Sequence, residues 1–260
     1  MWRFFALSGL GFPILCFAET PFAGSWVVQP ELTTYSGRQL SFSIERGEYK
    51  RTSCVPTPAV PTDGKEHPIT GDSYVQSMSV RLLDRDRVEV VEKIGGNLTW
   101  KGTYTVANDK KSMILKYEDR RAAKAVTGTV QFAREGDVIA NAHLLSGTWK
   151  PEKLLDLSAT GLSMTFRDTD NGLAMTASDG RTYDAEFDRD DQPLKGYLDG
   201  ASVRVFRGSL NHFQVNRKQN GVLVELSWGT FSDDKESMKL MQLDEQCQAA
   251  TVWTLRKHPS

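Results

Sequence analysis

The sequence predicts an all-β chain: two tandem up-and-down barrels of eight strands each, behind an export leader. Three observations lead there. Apolar and polar residues alternate with a period of two over many short runs, turn signals separate those runs, and one half of the chain repeats the other. The chain has 260 residues, a formal net charge of -1, 39% hydrophobic and 25% charged residues. That composition excludes a disordered, collagenous or coiled-coil chain. Near-neutrality gives no broad attraction to nucleic acid or to anionic membranes.

The first element is a leader. Met1-Trp2-Arg3 is basic, Phe4 to Phe17 is uncharged and mostly apolar, and Cys16-Phe17-Ala18 places small side chains around a cut after Ala18. The rival reading is a membrane anchor. Fourteen helical residues cover about 21 Å at ~1.5 Å each, short of a ~30 Å bilayer core. Leu15, bulky, argues against lipid attachment at Cys16. No second long apolar run follows, so no integral span is expected in the mature chain, which is expected in the periplasm or outside the cell.

The mature chain reads as one domain written twice. Gly24-Ser25-Trp26 recurs as Gly147-Thr148-Trp149, and Pro68-Ile69-Thr70-Gly71 as Pro193-Leu194-Lys195-Gly196. Asp109-Lys110-Lys111-Ser112-Met113 recurs as Asp234-Lys235-Glu236-Ser237-Met238, and Val130 to Arg134 as Val252 to Arg256. The offsets run from 122 to 125 residues, the size of a domain and too long for a solenoid unit. The expected division is a leader over 1–18, a first barrel over 19–138 and a second over 139–260.

Within the first copy, Leu98, Trp100, Gly102, Tyr104 and Val106 alternate with Thr99, Lys101, Thr103 and Thr105. Val126 to Ala133 and Ser77 to Leu82 alternate in the same way. Arg46-Gly47, Asp63-Gly64, Gly95-Gly96-Asn97 and Asn108-Asp109 mark turns there. In the second copy Asp170-Asn171-Gly172, Asp199-Gly200 and Asn220-Gly221 do so. No helical period of useful length occurs. Closure into barrels removes the exposed edges that such a sheet would present.

These motifs resemble a known family. The two Gly-X-Trp segments, with Arg134 and Arg256 near the ends of the copies, are similar to lipocalin-like barrels, and Thr62 to Pro68 with Lys93 to Gly96 resembles bacterial exported proteins of that type. The resemblance implies that Arg134 packs across Trp26, and Arg256 across Trp149, closing each barrel floor by cation–π contact worth about 0.5–2 kcal/mol. It implies a cavity for a small apolar or amphipathic ligand. Inward candidates in the first copy are Met78, Val80, Leu82, Val90, Trp100, Tyr104, Tyr117 and Phe132. The same side chains can instead fill the barrel completely.

No residue set points to catalysis. Gly-X-Ser-X-Gly, a phosphate loop and a dinucleotide fingerprint are absent from the sequence. His67, His143, His212 and His258 are scattered without metal-ligand spacing, so no cofactor or metal is expected. Asp168 to Gly172 reads as a hairpin turn, and Asp188 to Asp191 as a solvated loop. Cys54 and Cys247 remain after leader removal; in an oxidising compartment they pair with each other, or else stay as two buried thiols.

One difference between the copies stands out. At a constant offset Trp100 aligns with Glu225, which turns Val222, Val224, Leu226 and Trp228 outward unless a bulge restores the phase. An outward stripe would be a contact between barrels or between two chains of a homodimer. Ligand binding is therefore the leading expectation, a protein-interaction module the second and a lipid-directed enzyme the third.

Overall fold

The computed structural model describes residues 22–209 and 211–258. The expected leader over 1–18, with Cys16, lies outside the described residues. The described chain is all β, apart from two short 3-10 turns at Pro30–Leu32 and Ala159–Gly161. It forms two nearly closed, barrel-like sheets.

The first sheet runs in the order Ala59–Pro61, Glu48–Arg51, Leu40–Glu45, Gly147–Leu157, Val126–Glu135, Ser112–Asp119, Asn97–Val106, Arg87–Ile94, Ser77–Leu82 and Asp63–Pro68. Its two end strands adjoin in sequence across Thr62. The second runs Thr182–Glu186, Gly172–Ala177, Ser163–Thr169, Gly24–Val28, Ala249–Lys257, Ser237–Asp244, Val222–Phe231, His212–Gln219, Ala201–Ser209 and Gln192–Pro193. Thr34–Gly37 adds to it along Ala249–Lys257. Backbone bonds between Thr182 and Lys195 (3.0 and 2.9 Å), and from Asp188 N–H to the Val205 carbonyl (2.8 Å), tie its ends together.

Each path holds ten strands, where the sequence pattern led to eight. The additional members include pieces as short as the three residues Ala59–Pro61 and the two residues Gln192–Pro193. Both carry proline, which reads as turn in sequence and is tolerated at a strand edge.

The larger departure is in connectivity. The two Gly-X-Trp strands are exchanged. Gly24–Val28, from the first copy, pairs with Ser163–Thr169 and Ala249–Lys257 in the second sheet. Gly147–Leu157, from the second copy, pairs with Val126–Glu135 and Leu40–Glu45 in the first. The division at 138/139 therefore does not coincide with the barrels: each takes its tryptophan strand from the other copy. Both strands carry the same motif, so either slot satisfies the pattern of either strand.

The exchange corrects the expected floor contacts. Arg134 lies over Trp149, 4.1 Å from the ring centroid, and not over Trp26. Lys257, not Arg256, lies over Trp26 at 5.7 Å. The offset between the two Gly-X-Trp motifs carries Arg134 to Lys257 and leaves Arg256 aligned with Ala133; Arg256 is exposed. The two floors otherwise match. Both tryptophans are fully buried, and each indole N–H donates four residues back, Trp26 to the Phe22 carbonyl (3.0 Å) and Trp149 to the Leu145 carbonyl (2.8 Å). Gly24 and Gly147 both sit at φ +128. That backbone conformation requires glycine, and a Cβ there would also come within 2.7 Å of Lys257 Cε or 2.6 Å of Arg134 Nη1 and push the cation aside.

Further links hold the barrels together. A disulfide joins Cys54 to Cys247. Beside it Val55 N–H donates to the Gln246 carbonyl (2.9 Å) and Arg38 N–H to the Gln248 carbonyl (2.7 Å). On another side Ala123 N–H donates to the Gly196 carbonyl (2.9 Å) and Lys124 N–H to the Asp179 carbonyl (2.8 Å). Among the described residues no helix is long and apolar enough to cross a membrane.

Candidate functional site

The barrel interiors are largely packed. Of the inward candidates in the first copy, Met78, Val80, Val90 and Tyr104 are buried in the core. Phe42 packs edge-on against Tyr104, ring centroids 5.2 Å apart. Leu82, expected to face inward, is exposed near the end of its strand. A larger space than the second barrel's interior pocket lies between the barrels. A cavity of about 460 Å³ opens where the two barrel mouths face each other, and it runs down into the first barrel. Trp100, Tyr117 and Phe132, three of the inward candidates, line it. The pocket inside the second barrel is about 60 Å³.

Strand register gives the cavity a polar end and an apolar end. Ser112–Asp119 ends at the junction with Asp119, which pairs with Trp100 on one side and Val126 on the other. Leu115 and Val130 face each other further down, and Phe132 sits opposite Met113, six residues before Asp119. At about 3.3 Å per residue that is about 20 Å along the strand. Trp100 and Tyr117 fold flat over glycines. A Cβ on Gly102 would meet the Trp100 ring at 2.1 Å, and one on Gly128 the Tyr117 ring at 2.5 Å. The glycines thus hold both rings down along the cavity wall. From the second barrel's side Tyr35, Met164 and Trp253 complete the wall. Burial pushes the Tyr117 hydroxyl up to about 12, with Asp119 adding to it.

The polar end is an ion network that spans both barrels. Asp119 and Arg121 belong to the first; Asp179, Arg181, Arg217 and Glu225 belong to the second, and all line the cavity. Asp119 and Asp179 each make the same turn: the carboxylate accepts the backbone N–H two residues on (2.9 and 3.0 Å) and the side chain of that arginine. Arg217 donates Nη2 to Glu225 at 2.6 Å and Nη1 to the Tyr197 hydroxyl at 3.1 Å. Its guanidinium also faces Tyr74 of the first barrel, 5.4 Å from the ring centroid, and Arg121 approaches the same ring at 5.5 Å.

Burial alone would raise the carboxyls of Asp119 and Glu225. The guanidiniums of Arg121 and Arg217 outweigh it and hold both below the ordinary carboxylate range. In return Glu225 helps raise Arg217 above the usual arginine value, against the cost of burial. Among the described residues no group of three or more His, Cys, Asp or Glu side chains is placed to hold a metal.

Sequence reasoning missed this network, although its trace was present. At the constant offset Glu92 and Trp100 become Arg217 and Glu225. Glu92 pairs with Trp100 across the first sheet, and Arg217 with Glu225 across the second. The swap of an aromatic for a carboxylate is legible; its partner lies 8 residues away in sequence, across a hairpin.

The outer stripe is half corrected. Both strands carry a bulge at the equivalent place, leaving Thr99 and Val224 without a cross-strand partner on the preceding strand. Val224 is consequently buried rather than outward. Leu226 and Trp228 lie opposite Leu243 and Met241 on the outer face, all four partly exposed, and Val222 is exposed. The Trp228 indole donates to Gln214 at 3.1 Å.

Compared with protein-family models, with curated proteins and with solved structures, the chain matches none.

Proposed function

We propose that this chain is an exported, non-catalytic binding protein of lipocalin-like type, which holds a small apolar or amphipathic ligand where its two barrels meet. The cavity carries the reading. Its volume, about 460 Å³, falls within the ~300–1,000 Å³ typical of small-molecule sites, and a mostly apolar wall with a few convergent polar groups is their usual make-up. Delivery to the periplasm or the outside is supported by the leader pattern and by the paired cysteines. The Gly-X-Trp strands under a stacked cation support the lipocalin-like type.

Native mass spectrometry of the chain purified from its own compartment tests the reading. A retained small-molecule mass, released when the protein unfolds, is expected. An empty chain that also gives no tryptophan fluorescence change with the apolar probe N-phenyl-1-naphthylamine overturns it, since Trp100 and Trp253 line the cavity.

A second reading rests on the outer face of Leu226, Trp228, Met241 and Leu243, which suits self-association into a homodimer. Sedimentation of the parent beside a Leu226→Lys, Leu243→Lys variant separates the two. A parent that sediments as a monomer removes this second reading.

A further inference from the structure

Resting on the ligand-binding reading, we infer that the junction cavity selects a carboxylate headgroup on an apolar body, received by the guanidiniums of Arg121, Arg181 and Arg217. The argument is one of hydrogen-bond supply. The acceptors at the polar end are already used. Asp119 takes Arg121, Asp179 takes Arg181, and Glu225 takes Arg217 (2.6 Å), Ser227 (3.0 Å) and Gln242 (3.4 Å). The donors are not. A guanidinium presents more N–H groups than these bonds engage. Arg181 commits Nε to Asp179, and Arg217 commits one N–H on each terminal nitrogen, to Tyr197 and to Glu225, which leaves terminal N–H groups of both guanidiniums without a hydrogen-bond acceptor among the described residues.

A charge-assisted bond from such an N–H to a carboxylate is about twice as strong as a neutral one. A carboxylate only accepts, which matches a site whose surplus is only donors. Because three guanidiniums already face three carboxylates, the selection is by hydrogen bonding more than by net charge. The apolar body has its place on the same wall: Leu115, Val130 and Phe132 lead away from Asp119 into the first barrel.

The test uses the mature full-length chain at pH 8 and follows tryptophan fluorescence. Dodecanoate, dodecanol and dodecylamine are titrated separately, below their aggregation concentrations. Dodecanoate is expected to bind at least about tenfold more tightly than either of the others, the least that a hydrogen bond to a charged group usually contributes. Arg217→Gln with Glu225→Gln removes the ion pair without stranding one charge. This variant is expected to lose most of the preference for dodecanoate over dodecanol; circular dichroism checks that it is folded. If it does not fold, Arg181→Gln with Asp179→Asn, which removes the other pair without stranding the buried Asp179 charge, is expected to lower the preference by a smaller factor. Equal binding of dodecanoate and dodecanol, or tighter binding of dodecylamine, overturns the inference and leaves the ligand-binding reading intact. Binding of none of the three, together with no response to N-phenyl-1-naphthylamine, overturns both.

Discussion

The two barrels are near copies at their floors and unlike at their mouths. At each floor a buried tryptophan lies under a last-strand cation, beside a glycine at φ +128. At the mouths, equivalent backbone positions hold Glu92 and Trp100 in one barrel and Arg217 and Glu225 in the other. The floor is what the fold needs in order to close, so its chemistry is the same twice. The mouth is free of that demand. One barrel lays an indole on the cavity wall and the other presents an ion pair, and the composite site needs both.

The strand exchange gives the largest expected effect on this comparison. Removing residues 22–32 takes the strand Gly24–Val28 out of the second sheet and leaves the first sheet its own Gly147–Leu157. Truncation at the N-terminus should thus unravel the C-terminal barrel. In hydrogen exchange, amides of Ala249–Lys257 lose protection while those of Val126–Glu135 keep it. The reverse pattern would show that the strands are not exchanged.

Next are the floors themselves. Trp149→Ala or Trp26→Ala removes a fully buried indole and should cost about 3–5 kcal/mol in denaturant unfolding. Equal losses at both positions sharpen the likeness of the floors; a loss under about 1 kcal/mol at one would break it. The disulfide follows. Cys54→Ser with Cys247→Ser should lower stability by about 2–4 kcal/mol, because the bond closes a separation of 193 residues.

A finer contrast separates the two cations. Arg134 stacks on Trp149 and also donates to the carbonyls of Lys110 (2.7 Å), Ser146 (2.8 Å) and Leu144. Arg134→Ala should cost about 1–3 kcal/mol by leaving these carbonyls unpaired. Lys257→Ala should cost less, about 0.5–1 kcal/mol, since its contact with Trp26 is longer.

The mouth responds to pH. The Asp119 and Glu225 carboxyls sit below their unfolded values. Their contribution to stability is complete above about pH 4.3, the unfolded glutamate value, and is lost as the pH falls through the lower folded values. Glu225→Gln should flatten that acid limb in melting temperatures recorded from pH 6 to pH 3.

How far these features could be read in advance follows from their range. The alternation that buries Tyr104 and Val106 is local, and the repeat is an arithmetic property of the chain; both were legible. The exchange was not, because Gly24-Ser25-Trp26 and Gly147-Thr148-Trp149 carry the same pattern and neither names its slot. The expected floor cation, Arg256, is one residue off through a drift in the offset, and the Gly-X-Trp spacing corrects it to Lys257. The bulge that buries Val224 leaves no mark in the alternation, which by itself points that side chain outward. Asp119-Arg120-Arg121 and Asp179-Gly180-Arg181 carry no sequence motif that links one to the other. That both face one cavity depends on how the two barrels are set against each other, which no local pattern encodes.

Synthesis from the N-terminus gives the exchange a consequence in time. The first sheet can be completed once Gly147–Leu157 has emerged. The second waits, because Val27 lies opposite Arg256. An early-made strand carrying Trp26 can meet Ser163–Thr169 first but gains its other neighbour, Ala249–Lys257, only much later, the kind of long-range pairing that slows folding. Without Ala249–Lys257 that strand keeps a neighbour on one edge only, so the late pairing is the step that seals Trp26 into its barrel.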